Sequence, residues 1–247
     1  MMSNASCPQH GAAAFTLWEL LAVIAIISLL VAVLIPSFLK VREMAWRLDC
    51  LCNIREMVFA AHQYACQHEG RLPPAYVRDY TAKTTVTWES FLWGTGTQHR
   101  VQQCPAFKGS AMWQGDLYTG YNYNASYLGG VTLLRKGVRL PNSTESVRLS
   151  DVKAPAECAL FGDGEYESGS NKFMRSPFPG DLDADASLAL AGTQGFRHGG
   201  FTNVGFVDGH VDSLKKRYTC TGAYGTPAKG CGFLSPDNRL YDPCCVE

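Results

Sequence analysis

Glu19 is the first residue that demands a chemical account, because it is the only charge in the twenty-one residues from Phe15 to Ile35. A carboxylate in an apolar helix is costly in lipid and is usually paired or functional. It can instead sit at the interface near the helix N-terminus, where the helix dipole favours negative charge. Both readings are open for Glu19.

The thiols form the second chemical group. The chain has ten cysteines in 247 residues, and Cys220, Cys231, Cys244 and Cys245 all fall in the last 28. That density suits an oxidising compartment and leads us to expect disulfides, although connectivity cannot be read from sequence. Cys50 and Cys52 are two apart on an expected helix, so they face different directions and do not bridge each other. A zinc site from the tail cysteines is the alternative. It is disfavoured because no Cys-x2-Cys pair has a matching second pair and the adjacent Cys244 and Cys245 suit tetrahedral ligation poorly.

Other chemistries find little footing. There is no Gly-x-Ser-x-Gly elbow, no His-Glu-x-x-His and no phosphate loop, so nothing nominates a nucleophile, no catalytic residue is assigned and the chain reads as a non-enzyme. Lys plus Arg and Asp plus Glu number 22 each, a formal balance that implies no nucleic-acid or other polyanion partner. Aromatic residues crowd the segment holding Trp88, Phe91, Trp93, Trp113, Tyr118, Tyr121, Tyr123 and Tyr127. They are read as core, with a carbohydrate-stacking surface as the alternative.

The elements that must carry these residues follow from local pattern. Phe15 to Ile35 has the length a helix needs to cross a bilayer core of ~30 Å. It is longer than a signal-peptide apolar region and lacks the preceding basic residues. Past Pro36 the helical spacing continues, with Val41, Met44, Leu48, Leu51, Val58 and Ala61 as an apolar stripe expected to pack on a sheet. Gly70 and Pro73-Pro74 end the helix near His68. Short apolar runs at Ser146–Leu149, Cys158–Phe161, Asn203–Val207 and His210–Leu214 are expected strands. Asp208-Gly209 between the last two is read as a type I′ hairpin turn, which makes the C-terminal part antiparallel sheet. Residues 163–197, rich in Gly, Ser and Asp, are expected to be a long loop.

Phe15-Thr16-Leu17-x-Glu19-Leu20-Leu21, the Ala/Val/Ile run after it and Pro36 resemble the class III signal of type IV pilins and type II secretion pseudopilins. The resemblance implies cleavage by a prepilin peptidase between Ala14 and Phe15, methylation of the new amine, and Glu19 as the residue that sets subunit registration in a filament. It departs from the usual pattern in two ways: Ala14 stands where the family has Gly, and residues 1–14 contain no Lys or Arg. Lys40, Arg42 and Arg47 after the span would by the positive-inside rule hold the C-terminal part in the cytoplasm. The family exports that part, and the cysteines agree.

A second resemblance covers His198, nine intervening residues and Asp208-Gly209, within Phe196-Arg197-His198-Gly199-Gly200 through Asp208-Gly209-His210-Val211. It looks like the signature that ends the prepilin-type processing-associated H-X9-DG domain, whose members begin with the same class III signal. Cys50, Asn53, Leu72-Pro73-Pro74, Cys104-Pro105 and Asp163 fall where that group places similar residues. The resemblance spans most of residues 15–214.

Together these imply a pilin-like α+β fold, in which a long N-terminal helix, transmembrane in its first half, packs on an antiparallel sheet in a loop-rich exported domain. The implied organisation is a leader at 1–14, a transmembrane helix at 15–36, its soluble continuation at 37–70, an exported domain at 71–214 carrying the signature, and a Cys-rich tail at 215–247. The implied role is a pseudopilin or minor pilin-like subunit of a type II secretion or type IV pilus-like filament. Its partners would be the prepilin peptidase, other pilin or pseudopilin subunits and an inner-membrane assembly platform. It would be anchored once in the inner membrane with its C-terminal domain periplasmic or extracellular, and Pro36 would permit a helix bend.

Because major pseudopilins of type II secretion hold calcium, the resemblance also raises a divalent-cation site from Asp163, His198, Asp208 and His210. Calcium wants six to eight oxygens, so a set containing His suits zinc or manganese better. The structural alternative makes Asp208-Gly209 turn chemistry and His198 a hydrogen-bonded core residue. Two further functional classes stay open: a membrane-anchored protein that binds a glycan or metal without polymerising, and a hydrolase dependent on His198 or Asp208.

Overall fold

The computed structural model describes residues 16–94, 101, 103–111, 120–167, 169–178, 192–219 and 226–244. The chain divides into two units, Met1–Arg42 and Glu43–Glu247.

The first unit holds the apolar part of helix α1, which runs from Leu17 to Gln67. Residues 16–45 are all solvent-exposed in the single chain, including Leu29 at 68% and Val33 at 68%. This is the one helix among the described residues long and apolar enough to cross a membrane. Pro36 lies inside α1 without interrupting it. It gives no N–H to the turn before it, which loosens one rung of the ladder.

The second unit is built on about the last seven turns of α1, from Glu43 onward, and three sheets. Its strands are β1 (Tyr76–Asp79), β2 (Thr84–Thr87), β3 (Asn122–Asn124), β4 (Val131–Arg135), β5 (Val138–Arg139), β6 (Ala159–Gly162), β7 (Phe173–Met174), β8 (Gln194–Gly195), β9 (Thr202–Phe206), β10 (Val211–Leu214) and β11 (Cys231–Gly232), with a short helix α2 at Trp88–Trp93. They form sheets of order β2-β1-β4-β5, β10-β9-β6-β3-β7 and β11-β8. The α+β class is as expected, but the two larger sheets are mixed. Each contains one parallel pair, β1 with β4 and β3 with β7.

The five-stranded sheet is buried on both faces at its centre, where β6 and β9 have no exposed residue. Alternation along β9 explains this, since successive side chains point to opposite faces. Gly205 faces α1, and a Cβ there would stand 2.6 Å from Val58 Cγ2 and 2.7 Å from Ile54 Cγ2. Val204 and Phe206 face a second cluster with Leu234 and Tyr241 from the C-terminal segment. Residues beyond 230 are thus part of the core: Tyr241 is fully buried, and its carbonyl accepts from Asn124 Nδ2 at 2.8 Å.

The helical stripe differs from expectation. The buried face of α1 is Cys50, Ile54, Met57, Val58, Ala61 and Ala65, whereas Val41, Met44 and Leu48 are more than 60% exposed. At about 100° per residue the buried face lies roughly a quarter turn from the stripe read from the sequence. Val58 and Ala61 of the expected stripe do belong to the buried face, Ala61 near its middle and Val58 at its edge, and Leu51 is half-buried. Trp88, Tyr123 and Phe161 complete the main core, with ring centroids 5.0 to 5.9 Å apart. Tyr121 and Tyr127 are buried too, as the core reading requires, while Trp113 and Tyr118 lie outside the described residues.

Three local expectations need correction. Ser146–Leu149 is not a strand: Val147 N–H donates to Leu128 O, Arg148 forms an isolated bridge with Arg71, and the chain enters a 3-10 turn at Leu149–Asp151. Residues 163–197 are not one loop, since β7 and β8 lie within them. The hairpin between β9 and β10 exists in the expected place, but its turn is not type I′. Asp208 is not in the left-handed region and only Gly209 is, at φ 101°. Gly209 N–H donates to Phe206 O at 3.1 Å and Phe206 N–H to His210 O at 2.9 Å. This is a three-residue loop closed by a left-handed glycine. An Asp at positive φ would cost energy that the longer loop avoids.

Candidate metal centre

Four ligand-bearing side chains from distant parts of the chain meet inside the second unit: Cys50, Cys104, Asp163 and His198. Their ligand atoms all lie within 4.8 Å of one another, and all four residues are buried. Each is delivered by a different element. Cys50 begins the buried face of α1, four residues before Ile54. Cys104 opens a turn in which Phe107 N–H donates to its carbonyl at 3.1 Å. Asp163 directly follows β6, and Asn203 N–H on β9 donates to its Oδ2 at 2.7 Å. His198 precedes β9 in a tight turn, where His198 and Phe201 exchange backbone hydrogen bonds of 3.2 Å. Gly199 and Gly200 between them have φ of 63° and 86°. Two successive positive φ values are what a type I′ turn needs, so the glycines after His198 aim its ring back into the core.

The contacts are close. Cys50 Sγ lies 3.7 Å from Cys104 Sγ and donates to Asp163 Oδ1 at 2.9 Å. His198 Nε2 lies 3.7 Å from Cys104 Sγ and 3.3 Å from Asp163 Oδ2. Arg197 closes the group: Nε donates to Cys104 Sγ at 3.3 Å, one terminal nitrogen reaches Asp163 Oδ1 at 3.2 Å and also donates to Gly120 O, and the other reaches Glu165 at 3.3 Å. Nearby, Tyr121 is buried and its hydroxyl accepts from Asn53 Nδ2 at 3.0 Å.

Electrostatics follow from this packing. Burial pushes the Cys50 thiol well up, and the neighbouring Cys104 and Asp163 add to it. Burial alone would raise Cys104 as well, but hydrogen bonding from Cys50, the Arg197 charge and His198 hold it down. For Asp163 the burial penalty is outweighed by Arg197 and His198, which keep it below the usual carboxylate range. His198 is raised to about 9, because its bonds to Asp163 and Cys104 outweigh burial. The pocket therefore favours an anionic Cys104 and Asp163 beside cationic His198 and Arg197, and keeps Cys50 a neutral thiol.

The expected ligand set is divided by the structure. Asp163 and His198 are together, but Asp208 and His210 face each other elsewhere in the β9–β10 turn, with Oδ1 and Nδ1 2.6 Å apart and both side chains partly exposed. The reason is geometric: Asp208 and His210 belong to the turn, while His198 enters from the opposite end of β9. Cys50, Cys104 and Arg197 were missed as members of the centre. Cys50 carried two signals: it is a thiol on a helical face otherwise made of Ile, Met, Val and Ala, and, with Cys104 and Asp163, it is among the positions that the resemblance to the H-X9-DG group singles out. Arg197 had none beyond its place next to His198.

Among the described residues no two cysteines stand at disulfide distance, so Cys50, Cys52, Cys66, Cys104, Cys158, Cys231 and Cys244 form none of the expected disulfides with one another. Even Cys50 and Cys104 are farther apart than the ~2.05 Å of an S–S bond. Cys7, Cys220 and Cys245 lie outside the described residues, as do Ala14 and Phe15 of the expected cleavage site.

At the other end of the chain, Glu19 has a local partner. Thr16 N–H and Thr16 Oγ1 donate to Glu19 Oε2 at 2.9 and 2.7 Å, and Glu19 N–H donates back to Thr16 Oγ1 at 3.3 Å. Thr-x-x-Glu in this reciprocal arrangement is a capping box that satisfies donors otherwise unpaired at a helix start.

No protein-family model and no solved structure matches the chain. One curated protein, Competence protein ComGC of Halalkalibacterium halodurans, is 38% identical over 66 residues, which are 27% of this chain. The chain thus spans 64% of that relative's length. This similarity and the exposed apolar N-terminal helix fit a pilin-like protein with a membrane anchor.

Proposed function

We propose that the chain is a structural subunit of a type IV pilus-like or type II secretion filament, anchored once in the inner membrane with its Glu43–Glu247 unit on the outer side. It is made as a precursor that a prepilin peptidase cuts between Ala14 and Phe15, and it acts without catalysis. The observation that carries this reading is the apolar surface of α1, exposed from residue 20 to residue 39 with no charged side chain between Glu19 and Lys40. Apolar surface of that extent marks a membrane or protein contact. Lipid covers it before assembly, and neighbouring helices of the same kind cover it in a filament. The similarity to Competence protein ComGC supports the same reading. Peptidase, other pilin-like subunits and an assembly platform are the partners this role requires.

The test is intact mass and N-terminal sequence of the protein taken from its native membrane, followed by crosslinking. A chain starting at N-methylated Phe15 and a ladder of crosslinked oligomers is the expected outcome. A chain that retains Met1 and crosslinks only as monomer overturns the proposal in favour of a tethered binding protein.

A further inference from the structure

We propose that Cys50, Cys104, Asp163 and His198 bind one zinc ion in a closed, tetrahedral structural site that staples α1 to the sheet. The inference rests on the Glu43–Glu247 unit alone, and it stands or falls independently of the filament reading.

The edges of the cluster carry it. Zinc holds thiolate sulfur at about 2.3 Å and imidazole nitrogen or carboxylate oxygen at about 2.0–2.2 Å, so a tetrahedron has edges of about 3.8 Å for S–S, 3.6 Å for S–N and 3.3–3.4 Å for N–O. The observed separations are 3.7 Å for Cys50 to Cys104, 3.7 Å for Cys104 to His198 Nε2 and 3.3 Å for His198 Nε2 to Asp163 Oδ2. Three edges of the cluster thus already have the lengths an ion would impose. Cys50 Sγ stands nearer to Asp163 Oδ1, at 2.9 Å, as a thiol donor does, and binding would replace that hydrogen with the metal.

Ligand type selects the metal. Two sulfurs, one imidazole and one carboxylate form a borderline-soft set that suits zinc and gives calcium or magnesium too few oxygens. Charge closes as well. Two thiolates and a carboxylate carry three negative charges, zinc brings two positive charges, and the buried Arg197 guanidinium on Cys104 and Asp163, which it shares with the partly exposed Glu165, supplies the third. A buried site that is neutral as a whole avoids the penalty of isolated charge in the core. The outer contacts are in place too, since Arg197 holds Cys104 and Asp163, and Asn203 N–H holds Asp163 Oδ2. With four protein ligands and no open position the ion would be structural, tying together segments whose cysteines are 54 residues apart.

The experiment uses the full chain in detergent micelles, purified under reducing conditions, stripped of metal and reloaded with zinc chloride or cobalt chloride. Elemental analysis is expected to give one zinc per chain. The cobalt form is expected to show thiolate-to-cobalt charge transfer and intense tetrahedral d–d bands, a readout on the wild-type chain that no folding defect of a variant can confuse. Cys104→Ser and His198→Ala should each lower zinc affinity by at least about tenfold, while Asp208→Asn and His210→Ala should leave it unchanged. Absence of retained zinc and of the cobalt–thiolate band in the wild type overturns the site. So does a Cys50–Cys104 disulfide in the native protein, or binding that the cluster variants leave intact.

Discussion

The Arg197 guanidinium lies 3.2 Å from Asp163 Oδ1, pairing a fully buried carboxylate with a cation that also touches Cys104. Removing one partner of a buried pair leaves the other uncompensated, at a cost of about 3–5 kcal/mol. Arg197→Met should therefore lower the stability of the Glu43–Glu247 unit by that amount, measured by denaturant unfolding followed through tryptophan fluorescence. Arg197→Lys should cost less but not nothing, because a single ammonium cannot reach Cys104, Asp163, Glu165 and Gly120 together. A loss below about 1 kcal/mol for Arg197→Met would refute the pairing as a stabilising contact.

Gly205→Ala tests the seating of α1 on β9. The added methyl would meet Val58 and Ile54 at 2.6 and 2.7 Å, and both neighbours are β-branched and cannot swing away. Overpacking of this kind costs about 1–3 kcal/mol. Pairing the change with Val58→Ala should restore part of the loss, and a double-mutant cycle with no coupling would show that the helix does not sit there.

Glu19 separates capping from registration. Thr16→Val removes the hydroxyl that bonds Glu19 but leaves the carboxylate, so it should cost about 1 kcal/mol of cap and leave crosslinked assembly intact. Glu19→Ala should abolish assembly if the carboxylate registers neighbouring subunits. Equal assembly in the two variants would confine Glu19 to the cap.

Asp208 makes the β9–β10 turn sensitive to acid. Partial burial pushes its carboxyl up, but the backbone N–H and ring of His210 outweigh this and hold it below the usual range. A folded pKa below the unfolded value means the contact stabilises above about pH 4 and that this share is lost as pH falls through the folded pKa. Wild type should therefore exceed Asp208→Asn in thermal stability at neutral pH, with the gap closing on acidification. A gap that stays constant with pH would sink this account.

The apolar anchor, the helix end near Gly70, β6 and the β9–β10 hairpin were legible in the sequence because each is written in neighbouring residues. The turn type was not, since Asp-Gly fits two loop lengths and only the pairing of Phe206 with His210 chooses between them. The buried face of α1 was misread for a related reason. Val41, Met44 and Leu48 are as apolar as Ile54 and Met57, and nothing local says which row meets the sheet.

By itself the sequence determined that this protein has an apolar helix of bilayer-spanning length with one carboxylate, a loop-rich α+β domain and a His-to-Asp-Gly segment ending in a hairpin. Only the tertiary structure decided that His198 joins Asp163, Cys50 and Cys104, and that Asp208 and His210 stay apart from them. The physical reason is that Cys50, Asp163 and His198 converge through the docking of α1 on β9 and of β6 beside it, and Cys104 joins them from the separate turn it opens. Contacts between residues 54 and 113 positions apart leave no periodicity in the chain, and they exist only once the elements have packed.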